Sequence, residues 1–276
     1  HRDLHSFPTR RSSDLIKRSI LIGLQTFICC GLALVAFEIA AWAYPPILPW
    51  GLTVLGRIPT NSGCSAASAF RGAKTLSRQH DEEKRIGASL KMVRDDGRGL
   101  REWTTPDGNY WLPAGSDAVL PILVAQQAID IYKFPEEPKR NGDVVLDCGA
   151  HVGVYTRKAL KEGAKLVVAI EPSPGNVESL RRNFAREIAD GRVIVYPKGV
   201  WDREEKMPFY QDPDNSAADS FVVRGANDKV LSEMPLTTID KIVAELGIGH
   251  VDLIKMDIKG ATVRALNGAK ETLKRD

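Results

Sequence analysis

Between Asp143 and Glu171 the apolar and polar positions predict strand, tight turn, helix and strand in succession. Val144, Val145 and Leu146 form a short β-branched and aliphatic run; a turn carrying Gly149 and Gly153 follows, and the next segment reads as a helix ending at Gly163. Lys165 to Ile170 is the second strand. Each strand finishes on a carboxylate, Asp147 or Glu171, at the edge where open α/β sheets bind ligands.

The pattern continues downstream. Pro172 to Asn176 turns into a helix through Arg186, with Ser173 as the N-cap and Pro174 at the first helical position. A third strand covers Arg192 to Tyr196. Met207–Gln211 and Ser220–Val223 read as a small antiparallel excursion about the Asp212-Pro213-Asp214-Asn215 turn. Thr237 or Thr238 caps a helix to Leu246, His250 falls in a solvated loop, and a fourth strand, Val251 to Met256, delivers Asp257 at its tip. In a doubly wound sheet this strand returns beside the first, bringing Asp257 to the glycine turn. A last helix runs from Thr262 to about Leu273, which leaves a sheet expected to be C-terminally truncated.

Upstream, Glu102 to Leu112 reads as a hairpin around Pro106-Asp107-Gly108-Asn109, with Trp103 and Trp111 as packing residues. Ser116 or Asp117 is expected to cap a helix reaching Tyr132, and Gly72 to Arg101 reads as a charged helical region whose acidic and basic runs form a solvated face. Asn61 to Arg71 is a linker by composition. Ile20 to Ala43 is an apolar run of about 24 residues, roughly 36 Å as a helix, long enough to cross a bilayer core. Trp42 and Tyr44 give it an interfacial end, and Pro45 to Ile58 is a second apolar piece too short to span. His1 to Leu15 lacks an initiator Met and reads as non-native sequence. The expected organisation is therefore 1–15 non-native, 16–44 membrane anchor, 45–101 interfacial segment, linker and helical region, 102–141 hairpin plus helix, and 142–276 an incomplete cofactor-binding domain.

Composition narrows the class. The 276 residues are 43% hydrophobic and 26% charged, with a net charge of +3 and dispersed basic residues, which argues against a nucleic-acid partner. Cysteines 29, 30, 64 and 148 have neither metal-ligand nor disulfide spacing, which suits a reduced compartment and no metal. Lys17 and Arg18 ahead of the apolar run put the N-terminus in the cytoplasm by the positive-inside rule, whereas Arg57, Arg71, Lys74 and Arg78 follow it.

The glycine turn then selects a cofactor class. Gly149 and Gly153 let a ligand approach the backbone, and the amides opening the next helix offer donors. Glu171 is placed to accept hydrogen bonds from ribose hydroxyls. A dinucleotide fingerprint requires a third glycine where His151 stands, and there is no phosphate loop at this turn. Asp147 before the turn suits a cationic ligand without pyrophosphate, of which S-adenosylmethionine is one. Ala150, Pro172 and Ser173 share that edge, and Val200 and Trp201, in the loop after the third strand, are candidates for an adenine wall.

Four blocks in order, Val145-Leu146-Asp147-Cys148-Gly149-Ala150-His151-Val152-Gly153, Ala169-Ile170-Glu171-Pro172-Ser173-Pro174, Pro235-Leu236-Thr237-Thr238-Ile239-Asp240 and Asp252 through Ala261, resemble the FkbM-type methyltransferases. The resemblance covers about Gly142 to Leu273. It implies a Rossmann-like class I methyltransferase fold with a doubly wound sheet, S-adenosylmethionine as donor, and O-methylation of a hydroxyl on a sugar, glycolipid or natural product. Asp147, Gly149, Gly153 and Glu171 carry over to the cofactor motifs and Asp257 to the fourth-strand site. Lys259 and Thr262 stand where that pattern has glutamates, so one charge is reversed and another removed.

Because a hydroxyl is a poor nucleophile at neutral pH, a general base is expected. Asp257 is the first candidate and His151 the second, with Lys255 able to orient an anionic acceptor. The expected partners are a small-molecule or glycan acceptor and, through the N-terminal helix, a membrane, with the catalytic domain facing the cytoplasm where the methyl donor is made. The rival readings are a membrane-anchored, non-catalytic scaffold on the same fold and a nucleotide-dependent oxidoreductase, the latter disfavoured by His151.

Overall fold

The structure is a computed structural model, described here for residues 66–132, 141–223, 225 and 228–275; the apolar run at 20–43 and the segments flanking it lie outside these residues. Among the described residues no helix is long and apolar enough to cross a membrane. Residues from 79 onward belong to one compact unit.

The central element is a four-stranded parallel sheet of β4 (Val144–Cys148), β5 (Leu166–Ile170), β6 (Val193–Tyr196) and β10 (Leu253–Met256), in the order β10-β4-β5-β6. The strand order reverses at β4, which has β5 on one side and β10 on the other. Alternation along the strands covers both faces. Val144, Leu146, Cys148, Val168 and Ile170 pack with Ile239, Ile242 and Val243 of α6 (Ile239–Glu245). Val145 and Val167 turn the other way, onto Tyr155 and Ala159 of α3 (Val154–Lys161). Ala169 on that face meets Leu180 and Phe184, at the end of α4 (Pro174–Asn183) and just beyond it. Strand runs buried on both faces are the reason these segments read as continuous apolar stretches.

Helix boundaries follow local chemistry. Thr238 caps α6, its Oγ1 accepting from Lys241 N at 3.1 Å. Ser173 precedes Pro174 as anticipated but makes no side-chain cap; its hydroxyl is used elsewhere. The segment expected as one helix to Arg186 breaks at Phe184, followed by α5 (Ala185–Ala189). The final helix is also split, into α7 (Thr262–Asn267) and α8 (Lys270–Arg275), at Gly268.

Three expectations for the peripheral segments are corrected. The charged region expected to be helical through Arg101 is helical only in α1 (Ala66–Ser89). Lys91–Asp95 is instead strand β1, which pairs with β2 (Leu100–Thr105), itself the first strand of the expected hairpin with β3 (Gly108–Pro113). A local charge run is compatible with an exposed edge strand, and β1 is exposed throughout. Asp117 does not cap α2 (Val119–Ala128); its carboxylate accepts from Trp103 Nε1 and Arg101. In the excursion, β8 (Glu205–Gln211) pairs over its whole length with β9 (Lys229–Thr237), while Ser220 contributes only an isolated bridge to Tyr210. The short β7 (Gly199–Val200) joins the other edge of β9.

This topology carries the hairpin onto the sheet's ligand edge. Asn183 receives the Trp111 amide at 2.7 Å and donates to the carbonyls of Trp111 and Val152. Tyr110, Leu112, Leu120 and Val124 form a core with Val152 and Val154, so α2 is fixed over the start of α3.

Candidate active site

A cavity of about 300 Å³ opens at the C-terminal edge of the parallel sheet. Its floor is the turn after β4 (Gly149, Ala150, His151) and the ends of β5 (Ile170, Glu171, Pro172) and β10 (Lys255, Asp257). The α2 side chains Val119, Ile122 and Leu123 close one wall, and Phe209, Phe221 and the loop from Asn215 to Ser220 close another. This is the size and mixed lining of a small-molecule site.

The turn is shaped by steric need. Gly149 has φ +76, and a Cβ there would lie 2.2 Å from the Asp257 carbonyl oxygen, so only glycine lets the turn pass under the tip of β10. Its amide and that of Ala150 both donate to Ile170 O. His151 follows in the left-handed region at φ +53. Gly153, at φ +90, does not line the cavity: a Cβ would meet the Phe184 ring at 2.1 Å, so its role here is packing.

Glu171 is buried and its carboxylate is held from three sides. Oε2 accepts from His151 N at 2.9 Å, and Oε1 accepts from Ser173 N at 2.9 Å and from Asn176 Nδ2 at 3.4 Å. Burial raises its pKa, and the two amides and Asn176 offset part of that rise. Each oxygen has lone pairs for further donors.

Asp147 takes a different position from the one expected. As an odd-numbered residue of β4 it points to the α3 face, is fully buried and does not line the cavity. Oδ2 accepts from Thr156 Oγ1 at 2.7 Å and Oδ1 pairs with Lys255 Nζ at 2.9 Å. Lys255 also donates to Gly149 O at 2.8 Å, so it ties β10 to the turn while reaching the cavity wall.

Asp257 lines the cavity and is restrained on both oxygens, by Lys259 Nζ at 2.8 Å and by the Tyr132 hydroxyl at 2.9 Å. Burial pushes its pKa up, but the hydrogen bond and charge of Lys259, with Lys255 and Tyr132, outweigh it and leave the group below its ordinary value. His151 Nε2 is 2.7 Å from Ser216 Oγ, and Nδ1 is buried without a partner among the described residues. Burial, with the charges of Lys255 and Lys259, lowers its pKa to about 3, so the ring is neutral at physiological pH and a weak base. Cys148, free and buried under the turn, is pushed up to about 12 by burial.

Of the remaining expected contacts, Pro172 and Val200 line the cavity. Ser173 and Trp201 do not: Ser173 Oγ donates to Asp219 Oδ2 at 3.0 Å, and Trp201 packs with Leu236 and Ala261. The aromatic wall comes from Phe209 and Phe221, whose ring centroids are 4.7 Å apart. Sequence reasoning also missed Tyr132, Ser216 and Asp219. Tyr132 reaches Asp257 across 125 positions, a pairing without a local signal. The Ser216-to-Asp219 stretch is a polar loop whose composition resembles any surface turn. Among the described residues no group of acidic, His or Cys side chains has the arrangement of a metal site.

The chain is similar to known proteins over this region. A protein-family profile described as the methyltransferase FkbM domain matches residues 147–276. A curated relative, the 31-O-demethyl-FK506 methyltransferase FkbM of Streptomyces tacrolimicus, is 29% identical over 159 residues, covering 48% of this chain; the chain spans 61% of that relative's length. A crystal structure of methyltransferase FkbM from Methylobacillus flagellatus KT aligns at 16% identity with a TM-score of 0.38, over 73% of this chain and 46% of the other. The profile runs from the last residues of β4 through the glycine turn, Glu171 and Asp257, so this part of the chain is similar to the FkbM-type methyltransferase domain.

Proposed function

We propose that the cavity binds S-adenosylmethionine and that the protein transfers its methyl group to a hydroxyl of a sugar, glycolipid or natural-product acceptor. The observation that carries this reading is Glu171, a buried carboxylate fixed by two backbone amides at the cavity floor, beside a glycine turn without the third glycine of a dinucleotide site. The unpartnered Nδ1 of His151 and the carboxylates of Glu171, Asp219 and Asp257 suit a cationic ligand rich in donors. The relative's name, a methyltransferase of 31-O-demethyl-FK506, supports a natural-product oxygen as the acceptor type.

When bound, the cofactor supplies an electrophilic methyl group on a sulfonium. Glu171 would hold the ribose, Ala150, Pro172 and Val200 would flank the nucleoside, and the α2 side chains Val119, Ile122 and Leu123 would exclude water from the acceptor side. Asp257 would receive the acceptor's hydroxyl proton, and Tyr132 fixes that carboxylate's orientation. The Asp257–Lys259 pair lowers the carboxylate's basicity, so proton transfer improves if the acceptor draws Lys259 away. The test is methyl transfer from labelled S-adenosylmethionine to a panel of hydroxylated acceptors by the wild type and Asp257→Asn. The reading expects transfer to at least one acceptor, reduced on the order of 100-fold in the variant with donor affinity retained. Donor binding without transfer to any acceptor favours the non-catalytic scaffold.

A further inference from the structure

The loop from Asp212 to Ser220 is fastened to the cofactor edge at several points. Ser216 alone receives Asn176 Nδ2 on its carbonyl at 3.2 Å, meets His151 Nε2 through its hydroxyl at 2.7 Å, and donates its amide to Ser116 Oγ at 3.0 Å. Ser220 Oγ donates to the Lys259 carbonyl at 3.1 Å, beside Asp257. These bonds hold Asp219 between them, and Asp219 lines the cavity.

Asp219 is joined to Glu171 through one residue. Ser173 donates its amide to Glu171 Oε1 and its hydroxyl to Asp219 Oδ2, at 2.9 and 3.0 Å. The other oxygen of Asp219 accepts from Asp212 N at 3.1 Å. Among the described residues Asp219 has no ion pair. The charged groups that bear on it are Glu171 from β5 and Asp212 at the start of its own loop, both acidic. Lys198, Lys255, Lys259, Asp257 and the neutral His151 share the cavity wall. Such a carboxylate is relieved by a ligand that brings O–H or N–H donors, and the buried Nδ1 of His151 on the same wall also lacks a partner.

We propose that Asp219 is a second cofactor-binding carboxylate, accepting a hydrogen bond from an O–H or N–H donor of the nucleoside half beside the one held by Glu171. This rests on the cofactor reading above. Burial, opposed by the Ser173 and Asp212 hydrogen bonds and reinforced by the Glu171 and Asp212 charges, raises the free carboxyl to about 7. A donor from the ligand stabilises the ionised form, so ligand affinity rises as pH increases through that value.

The experiment is calorimetric titration of the protein with S-adenosylhomocysteine at about pH 6 and about pH 8, on either side of that value. Wild type is expected to bind several-fold more tightly at the higher pH. Asp219→Asn is expected to bind roughly tenfold more weakly there and to lose most of the pH dependence. Asp212→Asn, outside the cavity, removes one like charge and moves the rise in affinity to lower pH. A wild-type affinity that does not rise with pH, or an Asp219→Asn protein that matches wild type at both values, overturns the assignment while leaving the cofactor reading intact. Absence of binding by wild type at either pH overturns both.

Discussion

Lys255 Nζ lies 2.9 Å from Asp147 Oδ1, across the register pair of neighbouring strands β10 and β4 and out of solvent. The pair is a strut beneath the site, and Lys255 Nζ extends it to the carbonyl of Gly149. Removing one partner leaves the other charge buried without compensation. Lys255→Met is therefore expected to destabilise the domain by about 3–5 kcal/mol, and adding Asp147→Asn to recover a substantial part of that loss. Urea unfolding of the single and double variants measures both.

The two turn glycines separate backbone from side-chain constraint. Gly149→Ala and Gly153→Ala are each expected to cost on the order of 3 kcal/mol, through positive φ and close contact. The clash at 153 is with the Phe184 ring and the Leu180 side chain, so Phe184→Leu should relieve part of it. The clash at 149 is with the Asp257 backbone, which no side-chain change relieves. Double-mutant cycles on thermal stability should show coupling between 153 and 184 and none between 149 and 184.

His151 provides a pH signature. Its folded pKa of about 3 lies below the ordinary histidine value, so the unfolded chain takes up the proton first. Its contribution to stability is complete above about pH 6.5 and is lost as pH falls towards 3. His151→Asn should flatten this part of the stability–pH curve, and an NMR titration of the His151 ring should show no protonation above about pH 5.

The parallel sheet was legible because its strands are apolar on both faces and its turns carry glycine and proline signals. The order β10-β4-β5-β6 followed from the rule that a doubly wound sheet reverses at its ligand edge. Glu171 and Asp257 were legible as strand-end acids. Asp147 was misplaced because a strand-end acid can point to either face, and its pairing with Lys255 depends on register rather than on spacing. Trp201 differs from expectation for a related reason: Val200 lines the cavity, whereas its neighbour packs against Leu236. Phe209, Phe221 and Asp219 belong to the excursion, which reads locally as two strands about the 212–215 turn; its actual partner strand β9 is set by a long-range pairing that has no local signature. The edge strand β1 was lost in a charge run that reads equally well as a solvated helix.

What Glu171 holds is decided by equilibrium titration with S-adenosylmethionine and with NAD, on wild type and Glu171→Gln. Saturable binding of S-adenosylmethionine is expected, none of NAD, and a loss of roughly tenfold or more in S-adenosylmethionine affinity in the variant, since a charged hydrogen-bond acceptor for the proposed ribose contact is replaced by a neutral one. Saturable binding of NAD, no binding of S-adenosylmethionine, or an affinity indifferent to Glu171→Gln would contradict the cofactor reading.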